Sequence, residues 1–112
     1  MKCSEYLWTR CKMLEMLPGK SDLEIDGEMT LMLHKNGDII ENDATGEKMT
    51  DVEANSILGR NQKYLVDAYQ NGQKSLFELV CIKQQITDDE YEAAKAEEEA
   101  KEEAAKETPA KG

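Results

Sequence analysis

Aromatic side chains are scarce in this chain. One Trp, one Phe and four Tyr make up 5% of 112 residues. Hydrophobic residues stand at 39%, enough for a core but a thin one. A domain of this size buries only a modest share of its surface, which leaves room for a homodimer or another partner that covers part of it. Histidine is nearly absent, with His34 alone. No Ser-His or Cys-His arrangement is placed by any motif, which argues against an enzyme. Cysteine is limited to Cys3, Cys11 and Cys81. An odd count at irregular spacing excludes a disulfide framework, and two cysteines with seven residues between them and one histidine do not make a zinc site. The three thiols read as small buried hydrophobes of a cytoplasmic protein. No apolar run approaches the roughly 18 residues of a membrane span, and the first residues lack a signal peptide's apolar stretch. Positive charge is the minority sign, with 14 Lys and Arg against 24 Asp and Glu, a net −10. Such a field repels phosphate and argues against non-specific binding to nucleic acid or to an anionic membrane. A local basic patch remains compatible with it.

Two fragments come near to ligand motifs and fail. Gly19-Lys20-Ser21 resembles the end of a phosphate loop, but Leu14 stands where the first glycine is needed, and a helix precedes it in place of a strand. Asp22 to Gly27 resembles the first half of a calcium loop, but Leu33 occupies the position of the closing bidentate glutamate. No metal and no cofactor is expected.

Charge divides the chain in two. Residues 88–112 carry 10 acidic and 4 basic side chains, and residues 1–87 carry 14 and 10. The expected layout is a compact domain over 1–87 and an acidic Ala/Glu/Lys helix with a disordered tail over 88–112. Leu7, Cys11, Leu14 and Leu17 recur at helical spacing, with Trp8 beside them as a core or interface anchor. The spacing predicts a first helix over 4–17, capped by Ser4 and stopped by Pro18-Gly19. Asn36-Gly37 is the preferred pair for a two-residue hairpin turn and predicts strands over 29–34 and 38–42, with a second turn at Asp43 to Gly46. Residues 75–82 are open to two readings: Ser75-x-x-Glu78 can cap a helix, but the density of strand formers predicts a third strand beside that hairpin. Thr87-x-x-Glu90 is a capping box that opens the last helix, where Tyr91 and Ala94 are the residues able to reach the core. Beyond them Glu97–Lys101 and Glu102–Lys106 are favourable pairs, no wide apolar stripe exists, and Thr108-Pro109 marks the end. The fold class is α+β: an N-terminal helix, a β-hairpin plus a third strand, a helix-turn-helix pair and a solvent-exposed C-terminal helix.

The helix pair lies over 50–72. Thr50-x-x-Glu53 is a capping box, Val52, Ile57 and Leu58 supply apolar residues, and Gly59 is expected to end the first helix. A second helix from about Asn61 carries Leu65, Ala68 and Tyr69 on one face and closes at Asn71-Gly72. Glu53-Ala54-Asn55-Ser56-Ile57-Leu58-Gly59 resembles the E-A-A-x-L-L-G of helix-turn-helix modules in excisionase-like and phage-type DNA-binding proteins. The resemblance extends over 29–83, with Lys35-Asn36-Gly37 as the preceding hairpin and 75–83 as the following strand. It implies a small regulator of a phage or mobile element whose second helix enters the major groove. Arg60, Asn61, Gln62 and Lys63 then stand where base edges are met, Arg toward guanine and Asn or Gln toward adenine. With Lys74 they form a local excess of positive charge interrupted by Asp67. The alternative is an acidic module that binds a protein, as an inhibitor, a DNA mimic or an assembly factor. DNA and a protein partner both stay open, and no membrane is expected.

Overall fold

The computed structural model describes residues 1–111, with side chains to Glu103. The chain is mostly helical with one small sheet, in the order α1 (Cys3–Met16), α2 (Asp22–Asn36), β1 (Ile40–Glu41), β2 (Lys48–Met49), α3 (Asp51–Arg60), α4 (Gln62–Gln70), α5 (Lys74–Lys83) and α6 (Asp88–Lys111). The architecture is organised around α1, which packs against α2, α3, α4, α5 and β1. Its inward face buries Cys3, Tyr6, Leu7, Arg10 and Cys11. Trp8 sits at the edge of this core, with its ring 4.8 Å from Tyr69 and 5.1 Å from Phe77, both edge-to-face. Burial pushes the Cys3 thiol up to about 12, with the Asp43 carboxylate adding to it. All three cysteines are buried and unpaired.

Two predicted strand regions are helical. Residues 29–34 belong to α2, whose start is fixed by a capping box in which Ser21 accepts from the Glu24 amide and Glu24 accepts from the Ser21 amide. Gly37, at φ +63, ends that helix in the left-handed conformation, and the Asp38 amide reaches back to the Leu33 carbonyl. Asn36-Gly37 is therefore a helix C-cap and not a hairpin turn. Both structures need a residue at positive φ, so the dipeptide alone does not separate them. Asp22 and Asp26 consequently share one face of α2, toward Arg10, and Glu24 turns back to the helix cap. Residues 75–82 lie in α5, where Leu76, Phe77, Val80 and Cys81 are buried on one helical face. The helix packs against α1 and α4, so tertiary burial overrides the strand propensity of the segment. There is no third strand among the described residues.

The hairpin that does form is shorter and later. Ile40 pairs with Met49 and Glu41 with Lys48, antiparallel, around the predicted turn, which Gly46 closes by donating to the Asn42 carbonyl. Its main task is to hold α1. Ser4 is not a cap, since the helix begins one residue earlier behind Lys2, which offers no side-chain acceptor. Instead Asp43 accepts from the Ser4 amide at 2.7 Å and from the Ser4 hydroxyl at 2.6 Å. A carboxylate is thereby placed at the positive end of the helix from a distant part of the chain.

The Thr50–Glu53 capping box is formed as the sequence predicts. Gly59 does not end α3, which continues to Arg60. The break falls at Asn61, a single residue at φ −121 and ψ 25 between the two helices. Asn71 and Gly72 close α4, with Gly72 at φ +67. In α6, Thr87 and Glu90 form the predicted box, Tyr91 is buried and Ala94 half-buried. The Glu97–Lys101 pair is present at 3.7 Å, and the Glu102–Lys106 pair falls outside the described side chains. The helix runs to Lys111, past Thr108-Pro109 where the sequence places its stop.

Candidate functional site

The junction of α3 and α4 carries the four polar residues expected to read a ligand. Arg60, Gln62 and Lys63 are exposed and border an open depression with Val66. Asn61 is not among them. It is 1% exposed, and its side-chain amide donates to the Ile57 carbonyl at 3.0 Å and to the Gln84 carbonyl at 2.9 Å. Asn61 is therefore the pin that joins the α3–α4 break to the end of α5. Gln84 continues the chain of bonds by donating to Asn42 in the hairpin at 3.1 Å. Lys74 stands at the start of α5, beyond the nine-residue length of α4. At 1.5 Å per residue that separates it from Lys63 by about 12 Å along the helix axis, so the five residues do not form one patch.

Two ion pairs of opposite sense join α4 to α6. Lys63 donates to Asp88 at 2.7 Å and lies 4.8 Å from the centre of the Tyr64 ring. The Tyr64 hydroxyl shares the same Asp88 oxygen. The Lys63 bond, then that of Tyr64, holds the Asp88 carboxyl below its ordinary value, and Lys63 is raised in turn. One turn further along α4, Asp67 accepts from the Tyr91 hydroxyl at 2.5 Å and from Lys95 at 2.8 Å. Together with the packing of Tyr64 on Tyr91, whose ring centres are 4.6 Å apart, these bonds seat the start of α6 on α4.

The Asp67 clamp has a pH signature. The bonds from Lys95 and Tyr91 lower the Asp67 carboxyl below its ordinary 3.8. A lowered folded-state value contributes stability that is complete above the unfolded value and is lost as pH falls through the folded one. Asp67→Asn is thus expected to flatten the acid limb of the stability curve below about pH 4. At neutral pH its effect stays within about 1 kcal/mol, because the pair is partly exposed. Urea midpoints of both proteins between pH 2 and 7 check this. Parallel acid limbs would show that Asp67 does not hold α6.

A second concave feature is hidden from the sequence when α2 is read as strands. The C-terminal half of α2, the hairpin and the start of α3 enclose a recess of about 210 Å³. Leu33, Ile40 and Met49 give it an apolar floor, Ile39 stands exposed at its mouth, and His34, Lys48 and Asp51 give it a polar rim. Recesses that hold cofactors or drug-sized ligands run from roughly 300 Å³ upward. This one has the scale of an anchor side chain. Several exposed large hydrophobics, Leu23, Leu31, Ile39 and Val52, lie on the elements that build it. The Ser21–Glu24 capping box is the sequence signal that places α2 and brings this face into view.

Arg10 marks the most buried charge. It donates to Asp26 at 2.9 Å while Asn55 bears on the same oxygen at 3.5 Å. Asn55, which stands where the helix-turn-helix pattern has alanine, therefore faces α2.

The fold and its surfaces define a small helical domain with a two-stranded hairpin and an acidic terminal helix. No protein-family model, no curated protein and no solved structure matches the chain. No helix of the described residues is long and apolar enough to cross a membrane.

Proposed function

We propose that this chain is a small non-enzymatic module that binds a protein partner by taking an apolar anchor side chain into the recess between α2, the hairpin and α3. The observation that carries this reading is the recess itself, with its apolar floor, polar rim and exposed Ile39 at the mouth. Buried anchors in such pockets dominate protein–protein binding energy. The reading is favoured over duplex recognition by the state of α4. Asn61 is committed internally and Lys63 is neutralised by Asp88, which leaves Arg60 and Gln62 to face a phosphate backbone next to an acidic helix. The unpaired, buried thiols suit a reducing cytoplasmic setting for this role.

The test places a photo-crosslinking amino acid at Ile39 of the full chain in extract of its source cells. One protein adduct is expected, lost when Met49→Asp fills the recess floor with charge and absent when the probe is moved to Glu47. In parallel, duplex DNA at low salt is expected to show no retention. An Ile39 adduct indifferent to Met49→Asp overturns the recess as the binding site. Duplex retention that falls steeply with salt and is weakened by Arg60→Ala would restore the DNA reading.

A further inference from the structure

The hairpin turn, α3 and the residue that ends α5 enclose a polar pocket of about 240 Å³, lined among others by Asn42, Glu53, Ser56, Arg60 and Gln84. Glu53, Ser56 and Arg60 follow one another at spacings of three and four residues, so they share one stripe of α3. Gln84 ends α5 at φ +62, and it is the one residue other than glycine at positive φ among the described residues. Such a backbone costs on the order of 1–3 kcal/mol, and residues that carry it cluster at binding sites. Glycine ends a helix in this conformation without that cost. Here a side chain is kept, and its amide donates to Asn42 at 3.1 Å.

Two sets of donors in the pocket are unspent. The Asn42 side-chain oxygen accepts from the Ala44 amide at 2.8 Å, the Thr45 amide at 3.2 Å and Gln84 at 3.1 Å. Three donors on that oxygen fix which way the amide faces, and its NH₂ end has no partner among the described residues. Nor does Arg60 form an ion pair among the described residues, although acids outnumber bases 24 to 14 in the chain. Glu53, the acid of the pocket, is turned to the Thr50 cap, where one of its oxygens accepts from the amide and from the hydroxyl at 3.1 Å each. A guanidinium fork beside a fixed amide donor suits a planar carboxylate, which takes two bonds from the arginine. A phosphate dianion is disfavoured by Glu53 and by a net charge of −10.

The recess beside this pocket says where the carboxylate comes from. Met49 lines both. Asp51 on the recess rim and Arg60 are nine residues apart on α3, about 13 Å along its axis. An extended chain covers that distance in about four residues. We infer that Arg60 and Asn42 bind the side-chain carboxylate of an aspartate or glutamate in the partner segment whose apolar anchor enters the recess. The inference rests on the recess reading and adds the partner's chemistry to it: an extended segment with a bulky apolar residue and an acid about four positions away.

A library of random peptides displayed on phage and selected on the immobilised full chain tests this. Arg60 is exposed and Ile39 is 46% exposed, so Arg60→Gln and Ile39→Asn are expected to leave the thermal midpoint unchanged in circular dichroism. The wild-type chain is expected to enrich peptides that carry both residues, and Ile39→Asn to lose their capture. Arg60→Gln is expected to enrich the apolar residue without the acid. In an enriched peptide, exchanging the acid for its amide is expected to raise the dissociation constant of the wild-type chain about tenfold or more, and that of Arg60→Gln by less than about twofold. Peptides that depend on Ile39 but carry no acid overturn this inference and leave the recess reading standing. So does an acid whose exchange weakens Arg60→Gln as much as the wild-type chain. A selection that yields no peptide sensitive to Ile39→Asn overturns both.

Discussion

Phe77→Ala is expected to lower the stability of the chain by about 3–5 kcal/mol. Phe77 is fully buried on α5 and packs edge-on against Trp8 of α1. Truncation removes the transfer energy of the ring, opens a cavity in the seam between those helices and deletes an aromatic pair worth about 0.5–1.5 kcal/mol. Domains of this size hold about 5–15 kcal/mol in total, so roughly a fifth or more of the stability rides on one side chain. Trp8 is the only tryptophan, which makes its emission a direct reporter of the seam. Urea unfolding followed at Trp8 should show a lower midpoint for Phe77→Ala and a partial recovery for Phe77→Leu. A loss below about 1 kcal/mol would mean that the seam collapses around the missing ring.

Asn61→Ala is expected to cost about 1–3 kcal/mol, although its position between two helices and its neighbours in sequence suggest an exposed reader of ligands. The substitution removes the side-chain donor to the Gln84 carbonyl at a site shielded from water, while the Ile57 carbonyl keeps the Asn61 backbone amide at 3.2 Å. Each buried acceptor left without a partner costs about 1–3 kcal/mol. Chemical denaturation measures the loss. Unchanged stability together with altered retention of a duplex would return Asn61 to the role of a base reader.

The difference between those two views of Asn61 shows where sequence stops being informative. Helix starts are legible where a capping box marks them, as at Thr50 and Thr87, because the two hydrogen bonds are local and depend on four adjacent residues. The ends and the long-range partners are not. Asn61 is buried because the end of α5, more than twenty residues later, comes back over it. Asp43 caps α1 from across the fold, a relation no spacing rule contains. Asn36-Gly37 is ambiguous in itself, since the same positive φ serves a hairpin and a helix end, and taking it as a hairpin turns α2 into strands. With α2 lost, its exposed leucines and the recess beneath it cannot be seen. Conversely, Arg60 and Lys63 do flank a helix start as expected, yet nothing in their neighbourhood along the chain announces that Asp88 neutralises Lys63.

The position of α1 at the centre has a kinetic consequence. Every surface that covers it comes later in the chain, and the last of its large partners, α5, begins about sixty residues after α1 ends. Until Phe77 is available, the side of α1 that carries Trp8 lacks one of its two aromatic partners. Folding must therefore wait for distant segments to meet, which slows it relative to a bundle built from sequential neighbours. During synthesis the nascent chain exposes this aromatic, apolar helix for longer than any that follow, and it is the segment on which a chaperone would act first.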